Sequence, residues 1–248
     1  MRKLVFSLSF GICVCALSVQ GESARFENTL FIGDSHSYGA FGKSVDAYLR
    51  TISTNVTSIA SCGSSPSNWM RTKDNYQKTV CGYWRKDSQN KETRVKDHNI
   101  NPFPDELKAN NPDLTVIALG TNILSSPANI QREKAAAEKM LIQISQANSK
   151  CIWVGPPDAD KQPFKKNLAA GVAELRSLAE KYNCLFIDSS QMTAYKEGSS
   201  DGIHYGNNEA RAWGDRVTAD IKMRLKPLKD KKPVRTEGVK VSPGSNTQ

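Results

Sequence analysis

Leu30-Phe31-Ile32-Gly33-Asp34-Ser35-His36-Ser37 is the stretch on which the fold turns. Its apolar run reads as a buried strand, and it stops on Gly-Asp-Ser with polar residues immediately after. A strand that ends this way presents a hydroxyl at the mouth of a sheet. Working outward, residues 28–34 form the first strand, and 38–50 form a helix with Phe41, Val45, Tyr48 and Leu49 at helical spacing. Residues 55–61, rich in β-branched side chains, give a second strand ending at Cys62-Gly63-Ser64. A third, 114–119, is apolar throughout, as expected when both faces are covered, and stops at Gly120-Thr121-Asn122. Helix 128–148, strand 151–154, helix 167–182, strand 184–187 and helix 207–225 complete the series. This alternation predicts a parallel sheet with helices on both faces. Ligands bind such sheets outside the carboxyl ends of the strands. Asp34-Ser35, Gly63 and Asn122 are therefore expected to face one crevice.

The 248 residues suit one core. A net charge of +9 permits contact with nucleic acid, an anionic membrane or an anionic polymer such as cell wall, and serves solubility equally well. No base-reading motif accompanies it, so nucleic acid is not an expected partner. Arg2 and Lys3 precede an apolar run that ends in the small residues of Val19-Gln20-Gly21. Residues 1–21 read as a signal peptide cleaved after Gly21, and the run is shorter than the roughly 20 residues a membrane span needs. No later stretch is long and apolar enough to span. An exported protein, periplasmic or secreted, is the expectation. Cys62, Cys81, Cys151 and Cys184 remain after the leader, an even number that suggests two disulfides with three pairings open. No pair has CxxC spacing, so a metal site is not expected.

Two segments break the alternation within the expected 22–225 domain. The polar, basic insert 64–105, with Trp69, Tyr76, Tyr83 and Trp84, reads as a long loop clipped by Cys81. The tail 226–248 is rich in Lys, Pro, Gly and Ser and reads as disordered.

A hydroxyl becomes a nucleophile only with a base in reach, an orienter for the base and donors for the oxyanion. Three histidines are available. His36 follows Ser35 directly, and adjacent side chains point different ways. His98 lies in the polar insert and reads as a solvated surface residue. His204 lies in Ser200-Asp201-Gly202-Ile203-His204-Tyr205, just before the last helix. Asp201, three residues ahead, either reaches the imidazole Nδ1 or merely caps the helix. Ser35 at a strand end favours the first reading. The Ser35 and Gly63 amides and the Asn122 side chain are candidate oxyanion donors, and Asp34 is expected to hold the turn that aims Ser35.

Gly33-Asp34-Ser35-His36, Gly63, Gly120-Thr121-Asn122 and Asp201-Gly202-Ile203-His204, in that order, resemble the SGNH (GDSL) hydrolases. The resemblance covers roughly residues 29–225. It implies a three-layer α/β/α sandwich, flavodoxin-like, with a five-stranded parallel sheet in the order 2-1-3-4-5. It also implies Ser35 as nucleophile, His204 as base, Asp201 as orienter, Ser35, Gly63 and Asn122 as oxyanion hole, and no metal or organic cofactor. The implied order makes the fourth and fifth strands neighbours, within reach of a disulfide from Cys151 to Cys184. Cys62–Cys81 follows by remainder. The implied reaction is ester hydrolysis. Acetylated carbohydrate of the envelope, peptidoglycan included, is the first substrate expectation, with Trp69, Tyr83 and Trp84 of the insert either stacking on sugar or packing locally within the insert. Lipid or short-chain esters, including lysophospholipids and thioesters, are the second. A non-catalytic binding protein on the same fold and acyl transfer to a sugar are further readings.

Overall fold

The computed structural model describes residues 25–72, 78–79, 81–198 and 200–225. The leader expected over 1–21, Tyr76 and the tail at 226–248 lie outside the described residues. Among these residues seven strands form one sheet: β1 (Phe26–Gly33), β2 (Ser53–Ser61), β3 (Tyr83–Lys86), β4 (Glu92–Val95), β5 (Leu114–Ala118), β6 (Lys150–Val154) and β7 (Leu185–Ile187), in the order β4-β3-β2-β1-β5-β6-β7. Helices α1 (Ser35–Tyr38), α2 (Ala40–Ile52), α3 (Pro66–Trp69), α4 (Phe103–Asn110), α5 (Pro127–Gln146), α6 (Phe164–Lys181) and α7 (Asn207–Leu225) surround it.

Alternation along β1 divides the core. Phe31 packs with Phe41, Val45 and Leu49 of α2 and Trp213, Val217 and Ile221 of α7. Leu30 and Ile32, on the opposite face, pack with Leu107 of α4, Met140 and Leu141 of α5, and Leu175 and Leu178 of α6. Successive residues of a strand point to opposite faces, so a strand apolar on both must be covered on both. The result is the expected three-layer α/β/α sandwich. Its five parallel strands keep the expected order, and their register places the site. Gly33 lies opposite Ala60 of β2 on one side and Ala118 of β5 on the other. The chain therefore leaves all three strands in one row.

The sheet has seven strands rather than five, because the insert is not a loop. It contributes α3, the antiparallel hairpin β3–β4 beside β2, and α4. Two of its cations meet buried carboxylates just outside it. Buried Asp46 of α2 accepts from Lys86 Nζ at 2.9 Å, Ser58 Oγ at 2.6 Å and Arg50 Nε at 3.1 Å, tying the hairpin to α2 and β2. Buried Glu106 accepts from Arg85 Nη1 at 2.8 Å and Asn101 Nδ2 at 2.9 Å. Of the two readings of the insert's aromatic residues, packing is the one observed. Trp69, Tyr83 and Trp84 are 0%, 3% and 1% exposed, so they fill the core and present no face to a sugar. His98, expected in solvent, is half-buried and stacks on Tyr83 at 3.8 Å.

Cys62 is joined to Cys81, and Cys151 to Cys184, with Cα separations of 5.2 and 4.6 Å. The second pair follows from register: Ile152 faces Leu185, so the residues just before them lie side by side. Among the described residues no helix is long and apolar enough to cross a membrane.

Candidate active site

Leaving β1, the chain turns directly into α1. That turn needs Gly33, since a Cβ there would lie 2.0 Å from Ser37 Oγ. Asp34 caps α1, its Oδ1 accepting the His36 N–H at 3.0 Å. The carboxyl is almost fully buried, and burial pushes it up to about 7 despite the pull of that N–H. Asp34 thus holds the turn, and Ser35 opens the helix with its hydroxyl toward the crevice.

There Ser35 Oγ meets His204 Nε2 at 2.9 Å. His204 Nδ1 is 2.6 Å from Asp201 Oδ2, and the other oxygen, Oδ1, accepts the backbone N–H groups of Ile203 and His204 at 2.9 and 2.8 Å. The two readings of Asp201 coincide: one oxygen caps the turn while the other meets the imidazole. Burial opposes ionisation of this carboxyl. The His204 N–H, the His204 ring and the Ile203 N–H outweigh that effect and hold it well below the usual carboxylate range. Both side chains are nearly half exposed, 45% for His204 and 47% for Asp201, so a substrate can reach them.

Residues that spacing did not reveal hold this turn in place. Tyr195 Oη accepts the Gly202 N–H at 3.1 Å and donates to the His204 carbonyl at 3.0 Å. The Gly202 carbonyl accepts the N–H groups of Asp160 and Lys161 at 2.8 and 3.0 Å. Tyr205 Oη donates to the Asp158 carbonyl at 2.7 Å. Gly202 has φ +81°, a left-handed conformation that glycine adopts without cost.

The candidate donors gather at the neighbouring strand ends. Gly63 follows β2 at φ +80°, and its N–H makes no hydrogen bond among the described residues. Its neighbour Cys62 is fixed by the disulfide and by its N–H bond to the Gly82 carbonyl at 2.9 Å. Asn122 lies in the 3₁₀ turn Thr121–Ser125 after β5. Its Nδ2 donates to the Ser64 carbonyl at 2.8 Å, which leaves its second N–H for another acceptor. Asn129 Nδ2 steadies it from α5 by donating to the Asn122 carbonyl at 2.9 Å. The Ser35 amide, in the first turn of α1, has no intrahelical acceptor.

His36 stands apart. Its ring is buried 5.2 Å from the His204 ring and edge-on to Trp213 at 5.3 Å. Burial first, then repulsion from His204, pushes its imidazole down to about 3. It stays neutral and takes no part in the Asp201–His204–Ser35 line. A cleft of about 510 Å³ opens beside the donors, lined by Gly63, Ser67, Asn68, Arg71, Asn122 and Arg132 among others. Among the described residues no apolar side chain lines it.

No protein-family model and no curated protein matches this chain. Solved structures do. The aryl esterase of M. smegmatis is 15% identical, covers 80% of this chain and 100% of its own, and has a TM-score of 0.57. A carbohydrate acetylesterase family member from Sinorhizobium meliloti is 18% identical over 80% of this chain and 99% of its own, with a TM-score of 0.56. An acetylxylan esterase from Geobacillus stearothermophilus, solved as a catalytic mutant, is 15% identical over 79% and 94%, with a TM-score of 0.55. The fold is therefore the one the SGNH resemblance implies, shared with solved esterases across nearly their whole length.

Proposed function

We propose that this chain is a serine esterase that removes small acyl groups, acetyl foremost, from carbohydrate. The carrying observation is the unbroken line Asp201 Oδ2–His204 Nδ1 and His204 Nε2–Ser35 Oγ, at 2.6 and 2.9 Å, beside the strand-end donors. Ser35 Oγ attacks the acyl carbonyl while His204 Nε2 takes its proton. The carbonyl oxygen, now an anion, is met by the N–H groups of Ser35, Gly63 and Asn122 Nδ2. Collapse of this intermediate breaks the ester bond, and the departing alcohol takes the proton from His204. Water, deprotonated by His204, then releases the acid and restores Ser35. Asp201 holds the imidazole in the tautomer whose Nε2 is free to accept. No step calls for a metal or cofactor.

The polar lining of the cleft beside the donors supports a hydroxyl-rich alcohol and disfavours a lipid. The activities named for the solved acetylesterases agree with this reading. Two disulfides support an oxidising compartment, in line with export of a 22–225 domain after removal of residues 1–21, and with an envelope polysaccharide such as peptidoglycan as substrate. The intact catalytic line argues against a non-catalytic binder. The test is acetate release from O-acetylated polysaccharides, beside p-nitrophenyl esters of rising chain length, for wild type and Ser35→Ala. Expected are a preference for acetyl esters and a loss in Ser35→Ala of about 10⁴-fold or more. Equal activity in Ser35→Ala overturns the mechanism, and a preference for long chains moves the substrate to lipids.

A further inference from the structure

Resting on the esterase reading, we infer that the cleft beside Gly63 and Asn122 takes the alcohol half of the ester, and that Arg132 selects an alcohol bearing a carboxylate. The substrate class is then an acetylated acidic sugar rather than a neutral one.

The cleft continues directly from two of the oxyanion donors, so whatever is esterified at Ser35 must extend into it or away from it. Its side chains are serines, asparagines and two arginines. Such a lining gives an aliphatic acyl chain nothing to pack against, whereas a sugar ring finds donors on several sides. Among the described residues no acidic side chain lines it, and the Arg132 guanidinium opens onto it.

Arg132 is held ready rather than loose. Its Nε and Nη2 donate to Glu133 Oε1 at 3.2 and 3.1 Å, and Nη2 also donates to Asn129 Oδ1. Glu133 is turned inward with its side chain 0% exposed, while the Arg132 side chain is 69% exposed. The Glu133 carboxylate also accepts Ser67 N at 2.8 Å and Ser67 Oγ at 2.8 Å, so part of its charge is spent inside. Arg132 Nη1 makes no hydrogen bond among the described residues. A guanidinium fixed along one edge and open on another loses little freedom on meeting a carboxylate, and charge-assisted bonds of this kind are the strong ones. Asn129 links the two functions, since its Nδ2 also donates to the Asn122 carbonyl.

The test uses O-acetylated oligogalacturonate and its methyl ester, in which a methyl group caps each carboxylate and removes its charge. Calorimetric binding to the Ser35→Ala protein reads the cleft without turnover, and acetate release by the Ser35 protein is measured separately. Expected is binding of the free acid about tenfold or more tighter than the methyl ester, the weight of one charge-assisted hydrogen bond. Adding Arg132→Gln should bring the ratio close to one, with Arg132→Lys partway and Lys222→Gln, on the far end of α7, unchanged. Each ratio is taken on one preparation, so partial misfolding cancels. Equal binding of acid and methyl ester by the Ser35→Ala protein overturns the inference, as does a ratio that survives Arg132→Gln. If binding discriminates but wild type releases no acetate, the esterase reading fails while the carboxylate site stands.

Discussion

Asp201 uses its two oxygens for two tasks, and substitution can separate them. Asp201→Asn keeps an oxygen for the Ile203 and His204 N–H groups, so the turn persists. Its amide NH₂ then faces His204 Nδ1, which must accept instead of donate. The proton moves to Nε2, where it points at Ser35 Oγ and blocks general-base action. Turnover on p-nitrophenyl acetate is expected to fall by about 10⁴-fold with the circular dichroism spectrum unchanged. Activity within tenfold of wild type would remove Asp201 from the mechanism. Asn122 offers a second contrast, because its side chain both bonds the Ser64 carbonyl and supplies a free N–H. Asn122→Ala is expected to lower kcat by about 10²–10³-fold with a smaller effect on KM, since the donor acts on charge present only in the transition state. A change confined to KM would make Asn122 a binding residue instead.

The two disulfides sit at opposite ends of the strands. Cys62 follows β2 at the carboxyl edge beside Gly63, whereas Cys151 and Cys184 lie at the amino edge of β6 and β7. Their sequence separations of 19 and 33 residues give comparable loop-closure terms of about 3–4 kcal/mol. Replacing either pair by serines should therefore lower the urea midpoint similarly, but only loss of Cys62–Cys81 should lower kcat, by freeing the Gly63 amide. Equal kcat in both double variants would show that the Gly63 position does not depend on its staple. The same contrast of elements explains what the sequence made readable. The carboxyl end of β1 and most of β5 are covered on both faces and so appear as largely apolar stretches, Leu30–Ile32 and Leu114–Ala118, that lead to Ser35 and Asn122. The hairpin was hidden because β4 is exposed along its whole length and reads Glu-Thr-Arg-Val, without alternation. Such a charged edge strand discourages pairing with another chain. In α4, buried Glu106 occupies a core-facing position only because Arg85, far away in sequence, neutralises it. Tyr195 was equally hidden, since its role comes from the loops it closes and not from any local pattern. For Trp69 and Trp84 a sugar platform and local packing both stay open in the sequence, because an aromatic residue in a polar stretch carries no sign of whether it faces in or out.

At the scale of the whole molecule, packing of α2 on α7 brings the nucleophile and the base together. Phe41 stacks on Trp213 at 3.7 Å, and Ser44 Oγ donates to Asp215 Oδ1 at 2.6 Å. Closing this layer buries Asp34 and His36 beneath the site, with opposite consequences for stability against pH. Asp34, raised from 3.8 to about 7, keeps in the folded state a proton that the unfolded chain releases. Its contribution falls as pH rises from about 4 to about 7. His36, lowered from 6.5 to about 3, stays neutral where the unfolded chain is protonated, and its Nε2 has no partner among the described residues. Its contribution is present above about 6.5 and is lost as pH falls toward about 3. Each amounts to roughly 4–5 kcal/mol over its full window, and across the overlap they oppose one another. Wild type should therefore hide both. Asp34→Asn keeps the acceptor for the His36 N–H, and its stability relative to wild type should rise from pH 4 to pH 7. His36→Gln should do the reverse, losing stability relative to wild type over pH 3.5 to 6.5. Urea unfolding of the three proteins at pH 4, 5.5 and 7 reads these differences, and groups common to all three, Asp201 included, cancel. A pH-independent difference for Asp34→Asn would mean that Asp34 is ionised beneath Ser35 throughout the range, with its burial offset by partners closer than the N–H of His36.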